Sequence, residues 1–201
     1  LALGPAIDKS KAASNVQLMH EMGMVFGGLE NITGSINDPL HWLEMAQANP
    51  EALPDLYAVC GDQDDPISFT SQINPSLVGT LNYGSLHFFF MMDSSYHPIE
   101  QDTSQLKAMI TDLTNLKNTQ TTFLVGNRDS LGVFEGLAAL GQNPGDIFTQ
   151  GKVRYLLFGG STDWDFKEYA QKLASLELTD LAYIRTAQSS TCMKNGGSGI
   201  S

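Results

Sequence analysis

Several features that would narrow the function of this 201-residue chain are missing from it. The longest apolar run, LHFFFMMD, has the length of a strand, whereas a membrane-spanning helix needs roughly 20 apolar residues. Only two cysteines are present, Cys60 and Cys192. Because Cys60 lies in an apolar, strand-like run, we interpret it as a buried thiol rather than half of a disulfide. The sequence therefore predicts neither a membrane span nor a disulfide framework.

Basic residues are also scarce. The chain has 11 Lys and Arg against 22 Asp and Glu, a formal net charge of −11. A surface of that sign repels phosphate backbones, so we exclude nucleic acid as a partner. An enzyme that acts on anionic phosphates would need bound cations or a local cluster of arginines to overcome the same repulsion.

Short apolar runs alternate with helical patterns along the chain, which predicts α/β layers with sheets buried by helices. The clearest helix is DTSQLKAMITDLTNLK, with Asp102 or Thr103 as its N-cap. Its apolar face contains Leu106, Met109, Ile110, Leu113 and Leu116. Two more helices are predicted, one entered at Asp38 and one that follows Trp164 through Tyr169, Leu173 and Leu176. Strands are predicted at Leu1–Leu3, Met24–Phe26, Leu56–Cys60, Leu86–Met92, Thr122–Val125, Val153–Phe158 and Leu181–Arg185.

The composition and the absence of a linker predict one domain over residues 1–201. Hydrophobic residues make up 42% of the chain and charged residues 16%, which is typical of a globular protein. Leu1 is not a native start, so we expect an N-terminal truncation. We expect residues 194–201, which include the low-complexity sequence NGGSGIS, to form a flexible tail.

Five predicted strand ends run into loops that contain Gly or Asp. Loops of this kind at the carboxyl ends of neighbouring strands converge on one edge of a sheet, where α/β proteins place their functional sites. The five sequences are GPAIDKS, VFGGLEN, VCGDQDDP, FLVGNRDS and LFGGSTDW.

In their order and spacing these segments resemble the calcineurin-like metallophosphoesterases, in particular the branch with the class III cyclic-nucleotide phosphodiesterases. The stretch LHFFFMMDSSYHPIEQDTSQLKAMITDL carries the clearest similarity. In the family, the corresponding strand ends in Leu-Asp-Ser and is followed by a loop and by a helix that begins Gln-Leu-x-Trp-Leu. In this chain Ala108 stands at the position of that Trp. The resemblance implies a four-layer αββα sandwich, in which two mixed β-sheets are flanked by helices.

The family's chemistry needs two metal ions about 3.5–4 Å apart, which activate a water and neutralise the phosphate. Their ligands are His, Asp and Asn side chains, and the matching positions of this chain have lost nearly all of them. Gly28 replaces the bridging aspartate of Gly-Asp, and Asn127 replaces a ligand histidine. The other matching positions are Asp8 and Ser10 for Asp-x-His, Asp62, Gln63 and Asp64 for Asn-His-Asp, and Gly160 and Thr162 for the two histidines of Gly-His-x-His.

The resemblance therefore implies a domain without its dinuclear site, for which we expect no cofactor and a structural or protein-binding role. An alternative stays open: oxygen ligands from Asp8, Asp62, Asp64 and Asn127 could hold one Mg²⁺, Mn²⁺ or Ca²⁺ ion and support a reduced phosphodiesterase or phosphatase site. Arg128 beside Asn127 could bind an anion, but an ion pair with a neighbouring aspartate is the simpler interpretation.

The four histidines do not restore the metal site. His20 and His41 lie on predicted helices and His87 begins a strand, so we interpret them as surface or structural residues. His97 is the exception that we keep as a candidate, because it follows a strand end with Asp93 nearby.

Two other families remain as alternatives. PDLYAVCGDQDD and GGSTDWDF resemble parts of an α/β-hydrolase esterase, although the chain has no Gly-x-Ser-x-Gly nucleophile elbow. NRDSLGVFEGLAALGQNPGD looks like a helix of periplasmic-type sugar-binding lobes. That second motif is short and built from common helix formers.

Overall fold

The computed structural model describes residues 3–5, 26–30, 55–59, 67, 70–71, 76–93, 97–126, 131–159, 166–175 and 181–186. These residues form an α/β structure with two sheets. The first sheet is parallel and three-stranded, in the order β1 (Leu3–Pro5), β2 (Phe26–Glu30), β3 (Asp55–Val59).

The second sheet is mixed and has five strands in sequential order. Its members are β4 (Gly79–Tyr83), β5 (Leu86–Phe90), β6 (Thr121–Gly126), β7 (Val153–Gly159) and β8 (Ala182–Thr186). Strand β4 is antiparallel to β5, and β5 to β8 are parallel to one another. A two-residue turn joins β4 to β5, and Gly84 takes the positive φ of 60° that the first turn residue needs in such a hairpin.

The described helices pack on one face of this five-stranded sheet. They are α1 (Thr103–Asn115), α2 (Leu131–Ala139), α3 (Pro144–Gln150) and α4 (Phe166–Ser175), and a 3₁₀ turn at Ile99–Gln101 precedes α1. Each helix contributes to one buried cluster with side chains of the strands, as Leu106, Phe134, Phe148 and Leu173 do. The strand order explains why the described helices share one face. From β5 to β8 each parallel strand is added on the same side of the previous one, and right-handed crossovers in one direction place all their helices on the same face of the sheet.

The opposite face of the five-stranded sheet is apolar and aromatic. Phe88, Phe123 and Tyr155 stack across β5, β6 and β7, with 4.6 Å between successive ring centroids. Phe88 is only 1% exposed and Leu157 only 2%, so this face is shielded from solvent. Among the described helices none contributes to this second cluster, and strand β1 approaches β7.

Helix α1 confirms the clearest prediction from the sequence. Asp102 is its N-cap and accepts hydrogen bonds from the backbone N–H groups of Ser104 and Gln105. Leu106, Met109 and Leu113 are buried, and Ile110 and Leu116 pack against the same core. Helix α4 also confirms the predicted helix after Trp164.

Other predictions need correction. Strand β4 and the separate helices α2 and α3 were not predicted from the sequence. Strand β2 begins at Phe26, where the predicted strand ended, because residues 26–30 pair along β3. The helix predicted from Asp38 lies outside the described residues. None of the helices that the structure describes has both the length and the apolar character to span a membrane.

Candidate functional site

The carboxyl ends of β5 to β8 lie along one edge of the five-stranded sheet, since these strands are parallel and in register. Phe90 is paired with Val125, Gly126 with Phe158, and Gly159 with Thr186. Gly126 and Gly159 directly precede Asn127 and Gly160 in the sequence. Two of the loops on which the predicted site depends therefore begin at the same edge.

Of the residues predicted for the degenerate metal site, the structure describes Gly28. It lies inside β2, paired with Leu3 and Tyr57. The prediction that it follows the strand end is therefore wrong: two more strand residues, Leu29 and Glu30, come after it. The remaining positions lie outside the described residues: Asp8, Ser10, Asp62, Gln63, Asp64, Asn127, Arg128, Gly160 and Thr162.

The best-defined polar structure at this edge follows β5. Asp93 is completely buried, and its Oδ1 accepts a hydrogen bond of 3.1 Å from the backbone N–H of Ile99. The side chain of Gln105, also buried, bonds both backbone groups of Met92: Met92 N–H donates to Oε1 at 2.9 Å, and Nε2 donates to the Met92 carbonyl oxygen at 3.1 Å. These contacts tie the end of β5 to the first turn of α1.

His97 and Asp102 form a histidine–carboxylate pair beside it. Nε2 of His97 donates to Asp102 Oδ2 at 2.7 Å; the imidazole is 38% exposed and the carboxylate 11%. Oδ1 of Asp102 accepts from the backbone N–H groups of Ser104 and Gln105 and from the Ser104 hydroxyl, and Oδ2 also accepts from Gln105 Nε2. Burial alone would raise the pKa of Asp102, but the hydrogen bonds from Ser104, His97 and Gln105 outweigh it and hold that pKa well below its usual range.

The Asp102 carboxylate orients the His97 imidazole and the start of α1, and it is not available to bind a ligand. Five donors converge on the Asp102 carboxylate, so its lone pairs are committed to holding the helix start and the imidazole. A carboxylate that fixes one ring nitrogen of a histidine can orient that ring for proton transfer. Within the part of the chain that the structure describes, no cluster of three or more His, Cys, Asp or Glu side chains is arranged to hold a metal ion.

The other described histidine is structural, as predicted. His87 is 1% exposed; its Nε2 donates to Asp112 Oδ2 at 2.7 Å, and its Nδ1 lies 2.8 Å from Asn82 Oδ1. The ring thus connects the edge strand β4, its own strand β5 and helix α1. A polar side chain that is buried with partners on both sides is stable without any functional role.

Gln105 is the residue of this network that the sequence interpretation did not single out. A signal was present, because a Gln three residues after an Asp cap has the spacing of a capping box. In the structure the Gln105 side chain reaches Asp102 Oδ2 and the Met92 backbone instead of the N–H of the cap residue. That longer connection depends on where β5 ends, and the local pattern does not contain this information.

The likeness of this chain to known proteins is structural. No family model matches the chain, and no curated protein matches it. Among solved structures it is similar to purple acid phosphatase PPD1 isolated from yellow lupin (Lupinus luteus) seeds, with a TM-score of 0.49 and 11% sequence identity. The likeness covers 75% of this chain and 33% of that one, so the present chain spans about a third of the length of the phosphatase chain.

Proposed function

We propose that this chain is a metallophosphoesterase-like domain that has lost its dinuclear metal site and serves as a non-catalytic structural or protein-binding scaffold. The proposed architecture is the four-layer αββα sandwich, with the three-stranded sheet packed on the aromatic face of the five-stranded sheet. The class III phosphodiesterase branch is proposed from the sequence segment that spans β5 and α1.

The shielded aromatic face supports this architecture. Phe88 and Leu157 point away from the helices, yet water is excluded from them almost completely. Burying apolar side chains of this size stabilises the fold by about 1.5–3 kcal/mol each. A layer as wide as the aromatic face must therefore cover it and keep water out. The second sheet is a suitable cover, because β1 approaches β7.

The strand order favours this fold over the two rival families. A doubly wound sheet reverses its strand order and so carries helices on both faces. Here the order from β4 to β8 is sequential, and every described helix contributes to the cluster on the same face. An esterase or a sugar-binding lobe would require helices over Phe88 and its neighbours.

One observation carries the proposed loss of catalysis: the residues that follow two adjacent strand ends cannot supply imidazoles. Asn127 comes directly after β6 and Gly160 directly after β7, at an edge where the family resemblance would put ligand histidines. An amide oxygen binds first-row metals more weakly than imidazole does, and glycine offers no side chain at all. The carboxylate that holds His97, that of Asp102, is already occupied by hydrogen bonds.

A phosphodiesterase assay with a matched variant tests the proposal. Purified wild-type protein and Asp62→Ala are incubated with bis(p-nitrophenyl) phosphate, with and without added Mn²⁺. We expect both proteins to match the protein-free rate in Mn²⁺. Turnover by the wild type that Asp62→Ala removes would replace this proposal with the reduced carboxylate site around Asp8, Asp62, Asp64 and Asn127.

A further inference from the structure

His87 is a polar side chain in an otherwise apolar strand. The sequence of β5 is LHFFF, and His87 is as fully buried as the phenylalanines that follow it. Burying a polar group is unfavourable unless it is hydrogen-bonded, and burying a charge is unfavourable unless the charge is also paired. The partners of the ring therefore decide which protonation state the fold can keep.

Both ring nitrogens of His87 face oxygen atoms. Nε2 lies 2.7 Å from Oδ2 of Asp112 on α1, and Nδ1 lies 2.8 Å from Oδ1 of Asn82 on β4. An ionised carboxylate and an amide oxygen only accept hydrogen bonds, so each nitrogen must carry a proton to make its bond. A neutral imidazole has a single N–H, and its bare nitrogen would face an oxygen lone pair. This geometry fits the imidazolium form.

The surroundings of the ring balance one positive charge. Among the described residues, Asp112 is the ion-pair partner of His87 from α1, and its side chain is 24% exposed. A charge-assisted bond of this kind is about twice as strong as a neutral one. The residue that β6 pairs with His87 is Thr122, which is buried and uncharged. Asn82, from β4, is uncharged as well.

The contact with the ring is part of what attaches β4 to the rest of the sheet. Asn82 and His87 lie directly opposite each other in the hairpin. Tyr83 and Leu86 flank the two-residue turn, and bonded pairs alternate with non-bonded pairs from there. Asn82 and His87 are thus a non-bonded pair, in which the side chains lie closest. The backbone bonds of β4 to β5 come from alternate residues such as Leu81 and Tyr83.

We propose that His87 is a buried imidazolium whose two N–H groups clamp β4 to α1, and that the clamp opens when rising pH removes the Nδ1 proton. Nε2–H stays bonded to the Asp112 carboxylate. Asn82 is exposed, so the Nδ1 proton passes to solvent when this side chain moves. The bare Nδ1 then repels Oδ1 of Asn82, and β4 loses its link to the helix layer. This device is independent of the scaffold role proposed above.

Heteronuclear NMR of histidine-labelled protein tests the protonation state. The His87 signals are those that His87→Gln lacks. We expect both ring nitrogens to carry protons at about pH 7 and Nδ1 to lose its proton at higher pH. Asp112→Asn should lower the pH of this loss and Asn82→Asp should raise it, because carboxylates stabilise the imidazolium. A bare Nδ1 in the wild type at about pH 7 would overturn the proposal, since Asn82 would then donate through its amide nitrogen.

Native-state hydrogen exchange shows whether this proton controls the strand. After correction for intrinsic exchange, the N–H groups of Leu81 and Tyr83 should lose at least about tenfold protection when Nδ1 is deprotonated. The N–H of Leu124 in β6 is the internal control and should keep its protection. Asn82→Asp should extend the protection of β4 to higher pH, and Asn82→Ala should abolish its pH dependence. Protection of β4 that is the same from about pH 5 to about pH 9 in the wild type would contradict the clamp.

Discussion

The side chain of Gln105 pairs with the backbone of Met92 as a neighbouring strand would, giving one hydrogen bond and accepting another. Met92 lies two residues beyond the end of β5, at the edge where the candidate site is located. A side chain of α1 thus bonds the Met92 carbonyl and shares the Met92 N–H, which also donates to the Leu77 carbonyl oxygen at 3.1 Å. Asp102, which caps the same helix, accepts a further bond from Gln105 Nε2.

Replacing Gln105 should therefore destabilise the protein. Gln105→Met keeps the side-chain length but leaves buried backbone groups of Met92 without that partner. We expect the free energy of unfolding to fall by about 1–3 kcal/mol in urea titrations. Gln101→Met, at an exposed position of the preceding 3₁₀ turn, is the control and should change it by less than about 0.5 kcal/mol. Equal effects of the two substitutions would show that the Met92 bonds contribute nothing.

The lowered pKa of Asp102 predicts a specific pH dependence of stability. A carboxyl whose pKa is lower in the folded state stabilises the protein above its unfolded pKa of about 3.9, and this contribution disappears as the pH falls below that value. Asparagine is also a good N-cap, so Asp102→Asn changes mainly the charge. We expect the wild type to be more stable than Asp102→Asn by about 1 kcal/mol or more at pH 7.

Urea denaturation of both proteins between pH 2 and 7 measures this difference. The advantage of the wild type should be constant above about pH 5 and should shrink towards pH 2, because the unfolded chain then takes up a proton that the folded carboxylate does not. A difference that does not vary with pH would contradict the ionised, multiply bonded carboxylate.

Gly136 in α2 should not tolerate a larger residue. A Cβ at this position would lie 2.5 Å from Leu106 Cδ1 and 3.1 Å from the backbone Cα of Glu100. Alanine is preferred over glycine in helices by about 1 kcal/mol, but overpacking costs about 1–3 kcal/mol, so we expect Gly136→Ala to destabilise the protein. Ala138→Gly, at an exposed site of the same helix, measures the propensity alone. If Gly136→Ala raises the thermal midpoint, α2 packs less closely than the structure shows.

The two leucines in the middle of β7 test whether both faces of the sheet are covered. Leu156 belongs to the cluster under the helices and Leu157 to the aromatic cluster, and both are buried. We expect Leu156→Ala and Leu157→Ala each to lower the free energy of unfolding by about 2–5 kcal/mol, as full burial implies. A cost below about 1 kcal/mol for Leu157→Ala alone would mean that the aromatic face has no covering layer, which would reject the sandwich.

Local signals were sufficient for some elements of this fold and insufficient for others. The bounds of α1 could be read from an Asp cap and an apolar stripe, because both act within a few residues. Helix α2 was harder to predict, since its two glycines, which lower helix propensity, are needed for close packing against Ile99 and Leu106. The five-residue strand β4 has only a weak alternation, and its existence depends on pairing with β5.

The same distinction applies to the candidate site. Gly28 was predicted to follow a strand end, but pairing with β1 and β3 extends β2 two residues beyond it. The contact of His97 with Asp102 also could not be predicted, since it depends on the path of the chain between β5 and α1. In contrast, the sequence alone shows that Asn127 and Gly160, and not histidines, follow β6 and β7, because this concerns residue identity and not geometry.

The metal content of the purified protein tests the central claim most directly. The protein is incubated with excess Mn²⁺ and Zn²⁺, exchanged into metal-free buffer and analysed by inductively coupled plasma mass spectrometry. If the chain has lost its dinuclear site as proposed, we expect well under one tightly bound ion per chain. Two ions per chain that survive the exchange would contradict the account, since they would require a dinuclear centre built from other residues.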